Sequence, residues 1–223
     1  MSLEIIKDTV AKTLNSLPAE VVLVAAAKTR TAEEVQAAIE AGVKVLGYNY
    51  LQEAKRMHQI IGHKVQWHMI GHLQRNKVKK AVAIFDMIET IDSWRLAESV
   101  DQHCADEGKI MPVLIEINSG KESNKTGVLP ENVEELVRKV SKLPHLRLQG
   151  LMTMGPRFGN PEDARPYFKE TKAAFDRLKK TKIANVEMRY LSMGMSNSYQ
   201  IAIEEGANIV RIGTKLFGER DYK

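Results

Sequence analysis

Runs of small or branched apolar residues alternate along this chain with segments whose apolar positions recur at three- and four-residue spacing. The first run, VVLVAAA (21–27), is apolar throughout and reads as a buried strand. TAEEVQAAIEAG follows. Thr31 and Glu34 stand at capping-box spacing, Val35, Ala38 and Ile39 share one face, and Gly42 marks a stop. The alternation continues through VKVLGYN, a helix from Leu51 to Ile61, VQWHMIG, a helix opening near Asn76, MIETI, and a helix from Ser93. After IMPVLIEIN comes PENVEELVRKV, with Pro130 in a first turn and Val133, Leu136, Val137 and Val140 as the inward stripe. LRLQGLMTM, a long helix through Phe175, VEMRYLSMG, a short helix from Ser198, and NIVRIGT complete the series.

About eight apolar strands separated by amphipathic helices predict an α/β fold, a single (β/α)8 TIM-type barrel. The strands are apolar on both faces, as buried parallel strands are. No helix of useful length follows the last strand, so the N-terminal helix over residues 2–16 is expected to close the outer ring. A doubly wound open sheet is the alternative, but no GxGxxG follows the first strand. No linker or low-complexity tract interrupts the chain, which predicts one domain over 1–223. The most polar connection, NSGKESNKTG (118–127), is the one expected to move.

Composition narrows the partners. The net charge is +5, but the basic residues are scattered over helices, as in KVKK and RLKKTK, with no aromatic interleaving, zinc-finger spacing or RNP-type motif. Solvated helix faces explain them, and no nucleic-acid partner is expected. No apolar run reaches the length of a membrane span. The amphipathic, early-acidic N-terminus does not read as a signal peptide. Cys104, the one cysteine, reads as a structural thiol in a reducing compartment. The expectation is a soluble cytoplasmic protein, and a monomer, because no exposed apolar stripe demands a partner.

In a (β/α)8 barrel the chemistry sits at the C-terminal ends of the strands. Here those ends carry Lys28, then Tyr48 and Asn49, then His68 with GHLQRNK, then MTMG, LSMGMSNS and RIGT. The last two lie where such barrels often hold phosphate. Gly194 and Gly213 let backbone amides approach an anion, and Ser192, Ser196 and Thr214 add hydroxyls. A lysine at the tip of an apolar strand either snorkels to the rim and pairs with an acid or, desolvated opposite a phosphate site, forms a Schiff base with a carbonyl. The residues by themselves leave a sugar phosphate and pyridoxal 5′-phosphate both open as the aldehyde. His68 and His72 have the i,i+4 spacing of a metal pair, but Gly71 and the strand-to-loop placement argue against a shared helical face, and no third ligand presents itself. Met152, Met154, Met193 and Met195 read as a soft pocket lining. Arg211, two residues before Gly213, shares its strand face.

AAAKTRT, GYNYLQEA, WHMIGHLQRNK, NKTG, GLMTMG, LSMGMS and VRIGTKLFGER, taken together and in this order, resemble the pyridoxal-phosphate homeostasis proteins, the YggS/PROSC-type family, over nearly the whole chain. The resemblance implies a barrel similar to the N-terminal domain of bacterial alanine racemase. It implies that Lys28 carries pyridoxal 5′-phosphate as an aldimine, that Asn49 lies beside the ring or its 3′ oxygen, and that His68 packs near the ring. Ser192, Gly194, Gly213 and Thr214 then surround the phosphate, and Arg211 faces the pyridine nitrogen. The implied role is to bind the cofactor and regulate vitamin B6 levels, with apo-enzymes as recipients and no established turnover. A pyridoxal-phosphate-dependent racemase is the alternative. It needs a second domain, which is not expected after RIGTKLFGERDYK, and an opposite-face base, for which no residue presents itself opposite Lys28. A Schiff-base aldolase is the third reading, and a visible cofactor band separates it from the first two. Two positions depart from the family pattern. Gly47-Tyr48-Asn49-Tyr50 stands where GENY is common, and Ser198 stands where an aspartate is common.

Overall fold

A computed structural model of the chain describes residues 1–122, 126–156 and 159–219. Strands β1 (Val22–Ala26), β2 (Val45–Tyr48), β3 (Gln66–Met69), β4 (Met87–Ile91), β5 (Met111–Ile117), β6 (Leu146–Thr153), β7 (Val186–Ser192) and β8 (Ile209–Ile212) pair in chain order. All pairings are parallel, and β8 pairs back onto β1 with Val24 opposite Arg211, closing the barrel.

Helices α1 (Leu3–Ser16), α2 (Ala32–Glu40), α3 (Leu51–Ile61), α4 (Val78–Val82), α5 (Trp94–Asp106), α6 (Val133–Val140), α7 (Arg165–Thr181), α8 (Tyr199–Glu204) and α9 (Thr214–Phe217) lie around it. Thr31 and Glu34 form the capping box that starts α2. The N-terminal α1 packs on α2 and α9, burying Ile6, Val10 and Thr13, and so fills the gap left by the single-turn α9 after β8. The helix expected to open near Asn76 and the long helix expected through Phe175 both form. The chain makes a 3-10 turn over Arg75–Lys77 before α4 begins at Val78. The long helix α7 continues past Phe175 to Thr181, because Leu178 extends its buried stripe of Phe168, Thr171, Ala174 and Phe175. Among the described residues no helix is long and apolar enough to cross a membrane.

Apolar packing falls into two bodies. The larger fills the shell between strands and helices. The smaller lies inside the barrel and contains Val24, Val45, Ile70, Met87, Leu114, Met152 and Ile209. Side chains alternate faces along a strand, so the inward position after each of these is two residues on. On β4, β5 and β8 that next position is charged: Glu89 follows Met87, Glu116 follows Leu114, and Arg211 follows Ile209. All three are buried. The strands are therefore not apolar throughout on both faces. An apolar floor supports an ionic layer just beneath the C-terminal mouth. Register shifts between Ile88 and Ile91 on β4, and between Val113 and Leu114 on β5, accompany this layer, as bulges that re-aim side chains do near functional sites.

Candidate functional site at the barrel mouth

The ionic layer forms the base of a cleft of about 800 Å³ at the C-terminal ends of the strands. Lys28, Asn49, Ser196, Arg211, Gly213 and Thr214 all line it. Lys28 is half-buried and leaves β1 just before the chain turns at Thr29, whose φ of 66° is left-handed. The turn is held by the Thr29 amide donating to Glu53 Oε2 at 3.2 Å and by the Arg30 amide donating to Ala27 O at 3.2 Å.

Across the β7 and β8 ends, the Ser196 hydroxyl oxygen accepts from the amides of Gly213, at 3.1 Å, and Lys215, at 3.2 Å. These loop amides thus converge on one oxygen, with Thr214 between them. The neighbouring residues 195–198 form a tight turn, in which the Ser198 amide donates to Met195 O at 2.9 Å and the Met195 amide to Ser198 Oγ at 3.3 Å. Ser198 spends its hydroxyl there and makes no side-chain cap on α8.

His68, Ser192 and Gly194 do not line the cleft. His68 and Ser192 belong to a buried chain beneath it. Arg211 Nη1 donates to Ser192 Oγ at 2.6 Å, and Ser192 Oγ donates to Glu89 Oε2 at 2.6 Å. Glu89 Oε1 lies 2.7 Å from His68 Nδ1. Arg211 Nη2 also donates to Thr153 O at 2.8 Å. Burial pushes the Glu89 carboxyl up, but the bond to His68, the charges of His68 and Arg211, and the Ser192 hydroxyl together hold it below the usual range. With an ionised acceptor, His68 carries its proton on Nδ1. Burial pulls Arg211 down, and the charges of Glu89 and Glu116 oppose that pull. Arg211 is thus braced from below while lining the cleft. Gly194, at φ 88°, is where the end of β7 meets α8. A Cβ there would lie 2.6 Å from Ala202 Cβ and 2.8 Å from Tyr199 Cα.

The methionines divide. Met154 and Met195 line the cleft, Met152 lies in the inner core, and Met193 lies in the outer shell. His68 and His72 turn to different acids, His72 Nδ1 standing 3.2 Å from Asp92 Oδ2. Tyr48 points away from the cleft and stacks on Trp67 at 5.7 Å between centroids, its hydroxyl buried without a partner among the described residues. The Cys104 thiol is buried and pushed up to about 11 by that burial. Asn124 and Lys125 of NKTG, residues 123–125 of the polar connection, and Arg220 of VRIGTKLFGER lie outside the described residues.

Glu89 and Glu116 were not among the residues singled out from the sequence. The available signal was an acid in the middle of an otherwise apolar strand, in MIETI and in PVLIEIN. A buried carboxylate needs hydrogen bonds or a counter-charge, and inside a barrel these come from other strands.

This barrel is of the alanine-racemase N-terminal class: the family model "Alanine racemase, N-terminal domain" matches residues 2–221. Within that class the chain belongs to the pyridoxal phosphate homeostasis protein family. The family's member from Aquifex aeolicus (strain VF5) is 42% identical over 201 residues, covering 90% of this chain and 87% of the relative. The member from Escherichia coli (strain K12) is 37% identical over 214 residues, covering 92% and 88%. Among solved structures, PipY of Synechococcus elongatus PCC7942 with PLP bound superposes with a TM-score of 0.88 at 30% identity, over 96% of this chain and all of that one. Alanine racemase of Clostridium difficile 630 gives a TM-score of 0.78 at 16% identity over 60% of its length, a likeness of fold alone.

Proposed function

We propose that this chain binds pyridoxal 5′-phosphate in the barrel-mouth cleft, with the Lys28 amine condensed onto its aldehyde, and holds it for release to apo-enzymes as a single-domain, monomeric, cytoplasmic protein without amino-acid turnover. The observation that carries the reading is that one cleft brings together the β1 lysine, the converging loop amides with Ser196, Gly213 and Thr214, and the braced Arg211. The fit is chemical. Amides already gathered on one hydroxyl oxygen form the donor set that a phosphate oxygen takes. The structure of PipY with PLP bound, 30% identical over 96% of this chain, supports pyridoxal phosphate as the ligand.

Pyridoxal phosphate supplies an aldehyde carbon for amines and a ring that withdraws electrons when its nitrogen is protonated. The chain's residues bear on the first property more than the second. Lys28 supplies the amine, and Asn49 stands on the adjoining β2 end. Arg211 is a permanent donor that stays protonated, and beside the pyridine nitrogen it disfavours a second positive charge. His68, Ser192 and Gly194 act from behind, through Glu89 and through the β7–α8 junction.

The test is a titration of the apo protein with pyridoxal 5′-phosphate and with pyridoxal, followed by visible absorbance. The expected result is a saturable band with pyridoxal 5′-phosphate, lost in Lys28→Ala, and much weaker binding of pyridoxal. Equal affinity for both would remove the phosphate assignment. Sustained Cα deuterium exchange of alanine over many turnovers would establish a racemase instead.

A further inference from the structure

Glu116 is the buried acid of the cleft, and the binding of an anionic cofactor does not account for it. It is 5% exposed and lines the cavity. Its hydrogen-bond partner is the hydroxyl of Thr126, which stands 3.1 Å from one carboxylate oxygen and 3.2 Å from the other. Among the described residues it makes no ion pair. His72, the nearby basic group on the β3 side, is taken up by Asp92 at 3.2 Å. Arg211 acts on it only at a distance, and its guanidinium is bonded to Ser192 and Thr153. Burial pushes the Glu116 carboxyl upward, against the Thr126 hydroxyl and the more distant charges of Arg211 and His72, and among the described residues no cation pairs with it directly.

The placement is built rather than incidental. The chain returning to β5 at Val128 is tied to the strand on both sides, the Val128 amide donating to Glu116 O at 2.8 Å and the Asn118 amide to Val128 O at 2.9 Å. This close return depends on Gly127, at φ 106°. A Cβ there would lie 2.7 Å from the Asn118 nitrogen and 2.9 Å from the Ile117 carbonyl carbon. The return presents Thr126 to the carboxylate. In the closed order β1 to β8, β5 is four strands from β1 in either direction, so Glu116 stands across the mouth from Lys28. The cleft is therefore polarised. Lys28, Arg211 and Lys215 lie on the β8–β1 side and a buried acid lies opposite, while Glu219, the other lining acid, is exposed.

A buried carboxylate is stable when a cation meets it. We infer that Glu116 is the docking group for the primary ammonium of a second ligand, the amine that enters the cleft to meet the cofactor. This rests on the cofactor reading above and gives it a substrate class: primary amines that carry no carboxylate beside the nitrogen, such as a lysine side chain. An amine with an adjacent carboxylate meets Glu116 with like charge and is disfavoured.

The experiment compares methylamine with glycine as amines that take the cofactor's aldehyde carbon from Lys28, the new C=N bond forming as the Lys28 one breaks and the hydrogens lost by the incoming nitrogen passing to the freed lysine amine, with the cofactor released from the loaded protein measured after ultrafiltration, in wild type and Glu116→Gln. The half-saturating concentration of methylamine should rise about tenfold in Glu116→Gln, while that of glycine stays level or falls, so the preference between the two amines collapses. Thr126→Val should move methylamine in the same direction by less. An unchanged methylamine-to-glycine preference in Glu116→Gln overturns the inference and leaves the cofactor reading intact. A wild type that develops no band fails the cofactor reading instead. The inference is then decided on protein with inorganic phosphate present, by the 13C carboxyl shift of Glu116. A shift with methylamine and none with glycine supports it, and equal responses overturn it.

Discussion

Replacing Glu89 with glutamine removes one charge from the centre of the barrel and leaves its volume nearly unchanged. The structure sets the size of the effect. Glu89 is fully buried, accepts from Ser192 at 2.6 Å and pairs with His68 at 2.7 Å, and its charge opposes that of Arg211, itself 3% exposed. The amide also has the wrong polarity. Ser192 Oγ already accepts from Arg211, so a glutamine NH2 directed at it leaves the hydroxyl proton without an acceptor. Removing one partner of a buried charge set costs about 3–5 kcal/mol, a large share of the roughly 5–15 kcal/mol that holds a domain folded. Ser192→Ala leaves both charges in place and should cost less, about 1–3 kcal/mol. The assay is equilibrium urea unfolding of the apo protein at neutral pH, with the midpoint compared at an unchanged slope. Glu89 is held below its ordinary value, so its stabilisation is present above pH 4.5 and lost as pH falls through its folded value. Wild type and Glu89→Gln should therefore converge in acid. A loss under about 1 kcal/mol at neutral pH, or a difference that persists unchanged in acid, would refute the ionic layer as described.

Glu116 has the opposite sign: burial raises it, so the relevant stability is present below pH 4.5 and lost as pH rises through its folded value. Thermal unfolding of apo Glu116→Gln should match wild type in acid and exceed it at alkaline pH. Tyr48→Phe removes a buried hydroxyl with no partner among the described residues, and the denaturation midpoint should rise, by the equivalent of about 1 kcal/mol. Ser196→Ala removes the hydroxyl that gathers the two loop amides and whose own proton can go to a phosphate oxygen, and should weaken pyridoxal 5′-phosphate binding in a direct titration about tenfold, while barely changing that of pyridoxal.

The barrel was legible because each strand is an apolar run set off from its helix by capping or turn residues, as at Thr31 before α2 and Gly42 after it, and because the amphipathic stripe of α1 marked it as a helix that packs on the ring. Lys28 and Arg211 were legible as charges at or near strand ends. The ionic layer was not. Where both faces of a strand are apolar, period-two alternation says that Glu89 shares a face with Met87 but not which face is the inside. The same alternation separates Tyr48, on the outer shell beside Trp67, from Asn49 at the mouth, and the choice is fixed by packing against α3 and the strands around it. The β7 loop illustrates a second limit. Ser192 and Ser196 look equivalent in SMGMSNS, yet one ends a strand inside the barrel and the other follows a turn closed by Met195 and Ser198. Composition does not encode that turn's direction.

The central claim is that the lysine at the tip of β1 is the residue that holds the cofactor. Borohydride reduction of the protein loaded with pyridoxal 5′-phosphate, followed by peptide mapping, tests it directly. The account predicts a reduced pyridoxyl group on Lys28, in stoichiometric yield, with loss of the visible band. A label on Lys215 or any other lysine, or none on Lys28 when the band has been discharged, would contradict it.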